Sequence, residues 1–328
     1  MFMKKVFKLL VTILVIIILG VACLLVYVKT VLPNVGAAPD LKVEQTPERI
    51  ERGEYLANHV TLCIDCHSQR DYSKWSGPLV PGTLGEGGEA FTQDMGFPGK
   101  FYARNISQSH LAGWTDGDIY RLITTGVTKD NKAIFSIMPY ENYGKMDPED
   151  IKDIIAYIRT LKPQSNEPPP SVADFPMNFI LNTIPHKAAG GKLPSSSDQL
   201  AYGAYLTNAA GCNVCHTKQE KGKIVGELFA GGFEFKFPDG SMVRSANITP
   251  DNETGIGRLT EASFLARFKQ YTDTGYHSAL LKPGDMQTVM PWTMFAGMDS
   301  TDLKAIYTYL RAIKPVKNEI TRWQPKKG

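Results

Sequence analysis

Two short segments of the sequence have the residue types and the spacing that attach a haem covalently. Both read Cys-x-x-Cys-His, and their residues are Cys63, Cys66 and His67 in the first and Cys212, Cys215 and His216 in the second. This pattern is the attachment signature of haem c. The two thiols reach the two vinyl groups of one porphyrin, and the histidine that follows lies where its ring meets the iron. The sequence therefore predicts two covalently bound haem c groups.

Two other uses of paired cysteines are weaker interpretations of the same segments. A structural zinc site can use four cysteines from two such pairs. It would leave both following histidines without a role, and it would require the two segments to meet at one metal. A disulfide within each pair is the least favoured interpretation.

The second axial ligand of each iron must come from elsewhere in the chain, and methionine is the predicted residue. Met138 and Met290 recur at matching places, 71 residues after the first motif histidine and 74 after the second, each followed by proline and an aromatic residue. Proline fixes φ and removes a donor, which suits a loop held rigidly against a haem face. Histidine and methionine together raise the reduction potential and favour electron transfer over chemistry on the iron.

Other residues remain as weaker candidates for the second ligand. The fallback methionines are Met95, Met146, Met242, Met286, Met294 and Met298, of which Met286 and Met294 are the nearest competitors. The remaining histidines are His59, His110, His186 and His277. His59 has no equivalent near the second haem segment, so we interpret it as a surface or packing residue.

The elements that must position these ligands occur twice in the chain. Residues 46–163 are repeated in outline by residues 197–315. Each copy is predicted to open with a helix before the haem segment, to continue through Gly- and Pro-rich loops or hairpins, and to close with a second helix. Self-similarity of this kind indicates two domains of one fold.

Caps and matched glycines mark the paired helices of each copy. The predicted caps are Thr46 and Ser197 for the opening helices, and Asp147 and Asp299 for the closing helices. Gly53 and Gly203 occupy the same place in the opening helices. Because glycine has no side chain, we expect an aromatic residue of the closing helix, such as Tyr157 or Tyr309, to approach its backbone closely.

The amino terminus has the pattern of a membrane anchor. An apolar run from Leu9 to Val28 follows Lys4, Lys5 and Lys8. It has about the ~20 residues that a helix needs to cross a bilayer, and the preceding lysines favour a cytoplasmic amino terminus. We therefore predict a single-pass protein of the cytoplasmic membrane with its haem domains on the periplasmic side.

Two export signals are the alternatives to an uncleaved anchor. A cleaved signal peptide has a shorter apolar region, of ~7–15 residues, and Ala37-Ala38-Pro39 is a poor and distant cleavage site. A lipoprotein signal would end at Cys23, but the apolar run continues beyond that residue. Both alternatives also export the haem-bearing part.

The whole chain divides into five predicted segments. We predict an anchor at 1–30, a spacer at 31–45, a first domain at 46–163, a Pro-rich linker at 164–196, and a second domain with a carboxyl-terminal tail at 197–328. The apolar strip at 175–181 is expected to pack across one or both domains. A net charge of +3 gives no reason to expect nucleic acid as a partner.

The motifs together resemble a known family. Besides the haem segments these are Asn-Ile-Thr-Pro-Asp at 247–251, Thr-Gly-Ile-Gly at 254–257, Met290-Pro291, and Tyr309-Leu310 in the closing helix. They are similar to the membrane-bound cytochrome c family, which includes the haem subunits of quinoprotein alcohol dehydrogenase and of gluconate-type flavoprotein dehydrogenases. The resemblance implies a mainly α fold with two tandem class I cytochrome c domains after the transmembrane helix, and haems ligated by histidine and methionine.

The chain also departs from that family. The first copy lacks the proline after 105–107, and Leu111-Ala112-Gly113 replaces its Gly-x-Gly. The dehydrogenase subunits carry three haems and usually attach to the membrane elsewhere, whereas this chain has two haem segments and an amino-terminal helix.

These features predict an electron carrier without catalytic residues. The expected role is a membrane-tethered dihaem protein that accepts electrons from a dehydrogenase or a quinol-oxidising complex and passes them to a terminal oxidase or a soluble cytochrome. The alternative is a dihaem enzyme of the peroxidase or thiosulfate-oxidising type. A peroxidase needs an iron that opens to substrate. A thiosulfate-oxidising enzyme typically adds a cysteine ligand, and the remaining cysteine, Cys23, lies in the anchor.

Overall fold

The computed structural model describes residues 2–272 and 276–326. Its first element is α1 (Phe2–Thr30), a helix of 29 residues that is exposed along most of its length. The most apolar part of α1 has a mean hydropathy of 3.4. As predicted, the chain has an amino-terminal helix that is long and apolar enough to cross a membrane.

Helices follow in the same order in the two halves of the chain. The first half has α2 (Pro47–Tyr55) with a π-helical turn (Leu56–Val60), α3 (Cys63–Cys66), α4 (Gln108–Leu111), α5 (Asp116–Thr125), α6 (Tyr140–Tyr143) and α7 (Pro148–Ile158). Between the halves lie α8 (Met177–Ile180) and a 3-10 turn (Leu181–Thr183). The second half has α9 (Gln199–Ala209), α10 (Cys212–Cys215), α11 (Glu261–Lys269), α12 (Trp292–Phe295) and α13 (Ser300–Ala312). Among the described residues, every helix of the first half except α4 therefore has a counterpart in the second.

Short antiparallel strands complete each half. The first sheet consists of β1 (Ala90–Phe91), β2 (Gly99–Tyr102) and β3 (Val172–Ala173). The strands β4 (Gln219–Glu220) and β5 (Lys223–Ile224) form a separate hairpin. The last sheet consists of β6 (Glu234–Lys236), β7 (Met242–Arg244) and β8 (Trp323–Gln324). In both halves the segment after the closing helix returns as the third strand of the sheet. The β1–β2 and β6–β7 hairpins lie in the Gly- and Pro-rich stretches where the sequence predicted them, whereas the β4–β5 hairpin was not predicted.

The opening and closing helices pack against each other at the matched glycines. A Cβ at Gly53 would lie 1.8 Å from the carbonyl oxygen of Asp153 and 2.9 Å from the Cβ of Tyr157. A Cβ at Gly203 would lie 1.9 Å from the carbonyl oxygen of Ala305. The predicted close approach is confirmed in both halves, because no residue with a side chain fits at either position.

Three of the four predicted cap residues lie at the cap position, and two of them, Thr46 and Asp147, also make a side-chain bond there. The side chain of Thr46 accepts from Arg49 N, and α7 and α13 begin directly after Asp147 and Asp299. The opening helix of the second half is capped by Asp198 instead of Ser197, since the Asp198 carboxylate accepts from Ala201 N at 3.1 Å. The prediction was wrong by one residue because both side chains are good acceptors at that end.

The spacer before the first half is bound to its surface. The backbone N of Val43 donates to the Asp116 carboxylate at 2.8 Å, at the start of α5. The Pro39 carbonyl oxygen packs closely against α5, since a Cβ at Gly117 would lie only 1.9 Å from it. The segment at 31–45 is therefore an ordered part of the first half.

The apolar strip at 175–181 lies at the end of α1 and does not cover the domain cores. Asn182 Nδ2 donates to the carbonyl of Val28 at 3.1 Å, and the Lys29 ammonium lies 4.9 Å from the centre of the Phe179 ring. Phe175 is 80% exposed. The expected packing across the domains is not observed, because apolar residues fit an anchor end as well as a core.

Candidate haem sites

Each Cys-x-x-Cys pair forms a single helical turn, α3 in the first half and α10 in the second. The residue before each turn has a left-handed backbone, with φ of 57° at Leu62 and 64° at Gly211. This reversal separates the turn from the opening helix and places both thiols of each pair on one short element. In both halves the amide of the motif histidine donates to the carbonyl of the first cysteine.

The imidazole of each motif histidine is oriented by a backbone carbonyl. His67 Nδ1 lies 2.6 Å from the carbonyl oxygen of Arg104. His216 Nδ1 lies 2.8 Å from that of Ala246. A carbonyl only accepts, so Nδ1 carries the proton in both rings and Nε2 keeps its lone pair. Ligating histidines are usually held in this way, and the two rings therefore fit an iron bound through Nε2.

Loss of contact with water shapes the protonation of the site residues. It lowers the pKa of both imidazoles, that of His216 to about 4. It raises the pKa of the partly buried Cys212 thiol to about 12. The imidazoles are therefore neutral at neutral pH, which is the form that binds a metal.

The two cysteine pairs are separate sites. Among residues 2–272 and 276–326, no three His, Cys, Asp or Glu side chains are grouped as a metal ion would require. The thiols of both pairs are free, and Cys23 is exposed in α1. This arrangement does not suit one zinc ion held by four cysteines. It fits two haem c groups, each attached through its own pair of thiols.

The two candidate methionine ligands have the same local backbone. The carbonyl of Met138 accepts from Tyr140 N at 2.8 Å, and that of Met290 accepts from Trp292 N at 2.9 Å. Each following proline is the residue before a short helix, α6 or α12. Both methionine side chains are partly buried against the hydrophobic core.

A second matched pair of methionines is enclosed by protein. Met146 and Met298 stand eight residues after Met138 and Met290, and both are only 1% exposed. Matching position in the two halves therefore does not by itself identify a ligand. Because Met146 and Met298 are surrounded by core side chains, they fill the core, whereas Met138 and Met290 lie at its edge.

The remaining histidines do not recur at matching positions in the two halves. His59 Nδ1 contacts the carbonyl of Met294 at 2.8 Å, and its ring lies directly over Gly297. It is thus a packing residue between the halves, as predicted. His186 and His277 are exposed.

Two tyrosine hydroxyls that the sequence did not single out join the halves, each through two hydrogen bonds. The hydroxyl of Tyr55 donates to the Asp302 carboxylate at 2.7 Å and accepts from Asp299 N at 3.1 Å. The hydroxyl of Tyr205 makes the equivalent contacts in the opposite direction, with the Asp150 carboxylate at 2.5 Å and Asp147 N at 3.1 Å. The matched positions of these residues in the two copies were a signal that could have revealed the pairs.

Side-chain amides extend this contact to the second haem segment. Asn142, in α6 after Met138, donates to the Asn208 carbonyl at 2.8 Å and to the Asn213 side chain at 2.9 Å. Asn213 lies between Cys212 and Cys215. The loop with the candidate ligand of one half is therefore bound to the haem segment of the other.

Comparison with known proteins finds cytochrome c subunits among the proteins that the chain resembles. The chain is 28% identical over 303 residues to the fructose dehydrogenase cytochrome subunit of Gluconobacter japonicus, covering 87% of this chain and 57% of that protein. It is 25% identical over 283 residues to the cytochrome c subunit of the quinone alcohol dehydrogenase of Gluconobacter oxydans, covering 81% and 55%.

The predicted resemblance is confirmed. Over most of its length the chain is similar to cytochrome c subunits of dehydrogenases, including that of a gluconate 2-dehydrogenase. It is also 29% identical over 167 residues to a diheme cytochrome c-type protein of Cereibacter sphaeroides, covering 47% of this chain and 53% of that protein. The chain spans just over half the length of the dehydrogenase subunits that it matches. No protein-family model matches it.

Proposed function

We propose that this chain is a membrane-anchored dihaem cytochrome c that transfers electrons. It accepts them from a dehydrogenase or a quinol-oxidising complex and delivers them to a terminal oxidase or a soluble cytochrome. The first haem is held by Cys63 and Cys66 and the second by Cys212 and Cys215. The proposed iron ligands are His67 with Met138, and His216 with Met290.

The orientation of the two motif imidazoles carries this proposal. Each Nδ1 donates to a carbonyl of its own half, at 2.6 Å and 2.8 Å, so each Nε2 is presented in a fixed direction. A haem c bound there supplies an iron that changes oxidation state by one electron. Ligands that are preorganised in this way move little when the oxidation state changes, which is what a carrier needs.

The joined halves support transfer between two haems of one chain. The reciprocal bonds of Tyr55 with Asp302 and of Tyr205 with Asp150 limit rotation of one half against the other. A fixed relative position gives a constant distance between the two attachment turns. The relatives named as dehydrogenase cytochrome subunits make a dehydrogenase the preferred donor.

The membrane anchor is the helix α1. Lys4, Lys5 and Lys8 at its start favour a cytoplasmic amino terminus, so the haem-bearing halves lie on the periplasmic side. Attachment of haem c also belongs to that compartment. The contact of Asn182 with Val28 ties the linker to the outer end of α1.

Spectroscopy of the purified full chain tests the proposal. We expect two haems per chain, both low spin, with a near-infrared sulfur-to-iron charge-transfer contribution from each. Met138→Ala and Met290→Ala should each remove one contribution and lower one reduction potential, because thioether ligation raises the potential. A high-spin haem in the unmodified protein would instead support the dihaem enzyme. A variant that keeps both contributions would contradict that ligand assignment.

Copurification tests the partner. Membranes solubilised in mild detergent should yield the chain together with a dehydrogenase, whose substrate should then reduce both haems. If the chain instead copurifies without a dehydrogenase and its haems are reduced when quinol is added to the membranes, the donor is a quinol-oxidising complex.

A further inference from the structure

A loop of the first half pairs with the segment of the second half that carries Met290. We call residues 70–77 the clamp loop. The backbone N of Trp75 donates to the Ala279 carbonyl at 2.8 Å, and Leu281 N donates to the Ser73 carbonyl at 2.9 Å. These bonds form a short antiparallel bridge that lies ten residues before Met290.

Ser76 of the clamp loop holds the backbone on both sides of Met290. Its hydroxyl donates to the Met290 carbonyl at 2.6 Å and accepts from Trp292 N at 3.2 Å. Its own backbone N donates to the side-chain oxygen of Gln287 at 3.0 Å. Ser76 is only 1% exposed, so water cannot replace these bonds without local opening.

Gln287 closes the same contact from the second half. It is 7% exposed, and its Nε2 donates to the carbonyls of Tyr72 at 3.0 Å and Lys74 at 2.9 Å. Its side-chain oxygen also accepts from Thr288 N at 2.8 Å. Gln287 thus binds three points of the clamp loop while it shapes the turn that leads into Met290.

The clamp loop is itself fixed to the first haem segment. Asp65, between Cys63 and Cys66, pairs with Arg70 at 2.9 Å, and both side chains are almost fully buried. The same guanidinium donates to the carbonyls of Ser76 and Gly77, each at 2.8 Å. These bonds hold Ser76 at a φ of 65°, a conformation that is uncommon for residues other than glycine. A continuous set of buried contacts therefore runs from the first haem segment to Met290.

We propose that Ser76 is a positioning residue for Met290, so that the first half sets the thioether ligation of the second haem. The inference rests on the proposed ligation by Met290. By holding the Met290 carbonyl and the amide two residues later, Ser76 limits rotation of the loop away from the haem face. Loss of its hydroxyl makes the thioether easier to displace at the second haem and leaves the first haem unchanged.

Competition by imidazole tests this role in the ferric full-length holoprotein. Ser76→Ala and Ser76→Gly both remove the hydroxyl, and glycine tolerates the positive φ, so the second variant separates hydroxyl loss from backbone strain. In both we expect imidazole to displace the thioether of one haem at about tenfold lower concentration. A tenfold change in concentration corresponds to ~1.4 kcal/mol, which is similar to the net stabilisation by one hydrogen bond. The near-infrared contribution of that haem should weaken. A Met290→His variant, in which the second haem has two histidine ligands, shows which contribution belongs to the second haem.

Ser73→Ala is the matched control in the same loop. The Ser73 hydroxyl bonds only to Asp71 in the structure as described, and its bridge to Leu281 uses the backbone. This variant should keep the imidazole response of the unmodified protein. The positioning role is wrong if both Ser76 variants match it, or if both haems respond equally. If instead Met290→Ala leaves both near-infrared contributions intact, the ligand assignment itself has failed.

Discussion

A buried aspartate occupies the same position in each half, Asp150 in the first and Asp302 in the second, but the two carboxylates have different partners. Asp150 and Asp302 are 3% and 5% exposed, and each accepts a tyrosine hydroxyl from the opposite half. Within its own half, Asp150 is paired with Arg52 at 3.2 Å, whereas Asp302 accepts from the Tyr202 hydroxyl at 3.0 Å. Arg52 and Tyr202 occupy the same position, immediately before the matched glycines.

This difference shows which features the repeat preserves. The geometry is the same in both halves, because close packing of the opening and closing helices leaves no freedom at Gly53 and Gly203. The charge of the buried aspartate is offset in only one half. The Arg52 guanidinium and the Tyr202 phenol both donate a hydrogen bond to the carboxylate, but only the guanidinium carries an opposite charge. The interface is therefore symmetric in shape and asymmetric in electrostatics.

The largest expected effect tests the shared geometry. Gly53→Ala and Gly203→Ala should each destabilise the protein by ~3 kcal/mol, because the added Cβ would lie within 2 Å of a carbonyl oxygen and the helices must separate. Chemical denaturation of the holoprotein in detergent measures this loss. Gly113→Ala is the control, since its Cβ would meet nothing closer than 3.5 Å. Tolerance of one substitution but not the other would show that the two helix pairs are not equivalent.

Local features of the site could be predicted from the sequence, because their physical cause is local. The spacing of two thiols and a histidine determines one haem segment, and a glycine that recurs in a helix indicates a close approach. The orientation of His67 by Arg104 could not be predicted, since that carbonyl is 37 residues away. The recurrence of Tyr55 as Tyr205 marks a position in the sequence, but only the fold brings Tyr55 to Asp302, 247 residues later.

The clamp loop and the apolar strip were missed for related reasons. Ser76 is a common surface residue type, and only the tertiary structure places its hydroxyl beside Met290. The strip at 175–181 was expected on the domain cores because apolar character does not specify a partner. The sequence predicted Met138 and Met290 as the ligands, but recurrence alone does not identify them, since Met146 and Met298 recur as regularly.

A smaller effect tests the electrostatic difference. Asp150→Asn should cost about 1–2 kcal/mol, because it leaves the partly buried Arg52 guanidinium without its carboxylate. Asp302→Asn should cost less than about 1 kcal/mol, since an amide oxygen still accepts from the tyrosine hydroxyls and a buried negative charge is removed. Denaturation of the two variants under the same conditions gives the comparison. Equal losses would mean that Arg52 does not distinguish the halves.

A comparably small effect tests the hydroxyls that cross the interface. Tyr55→Phe and Tyr205→Phe should each cost ~1 kcal/mol, with the larger loss for Tyr55→Phe, because Asp302 then keeps only a neutral partner while Asp150 keeps Arg52. Both variants should also slow electron transfer between the haems after photochemical reduction of one of them, since the halves gain freedom to rotate.

Tyr307→Phe separates these two consequences of losing a hydroxyl. The Tyr307 hydroxyl donates to the Leu259 carbonyl at 2.8 Å within the second half, so its loss should cost similar stability and leave the rate between the haems unchanged. If all three variants slow the transfer alike, the rate reflects general loosening of the fold. If only the two interface variants do, the tyrosine hydroxyls hold the haems at their working separation.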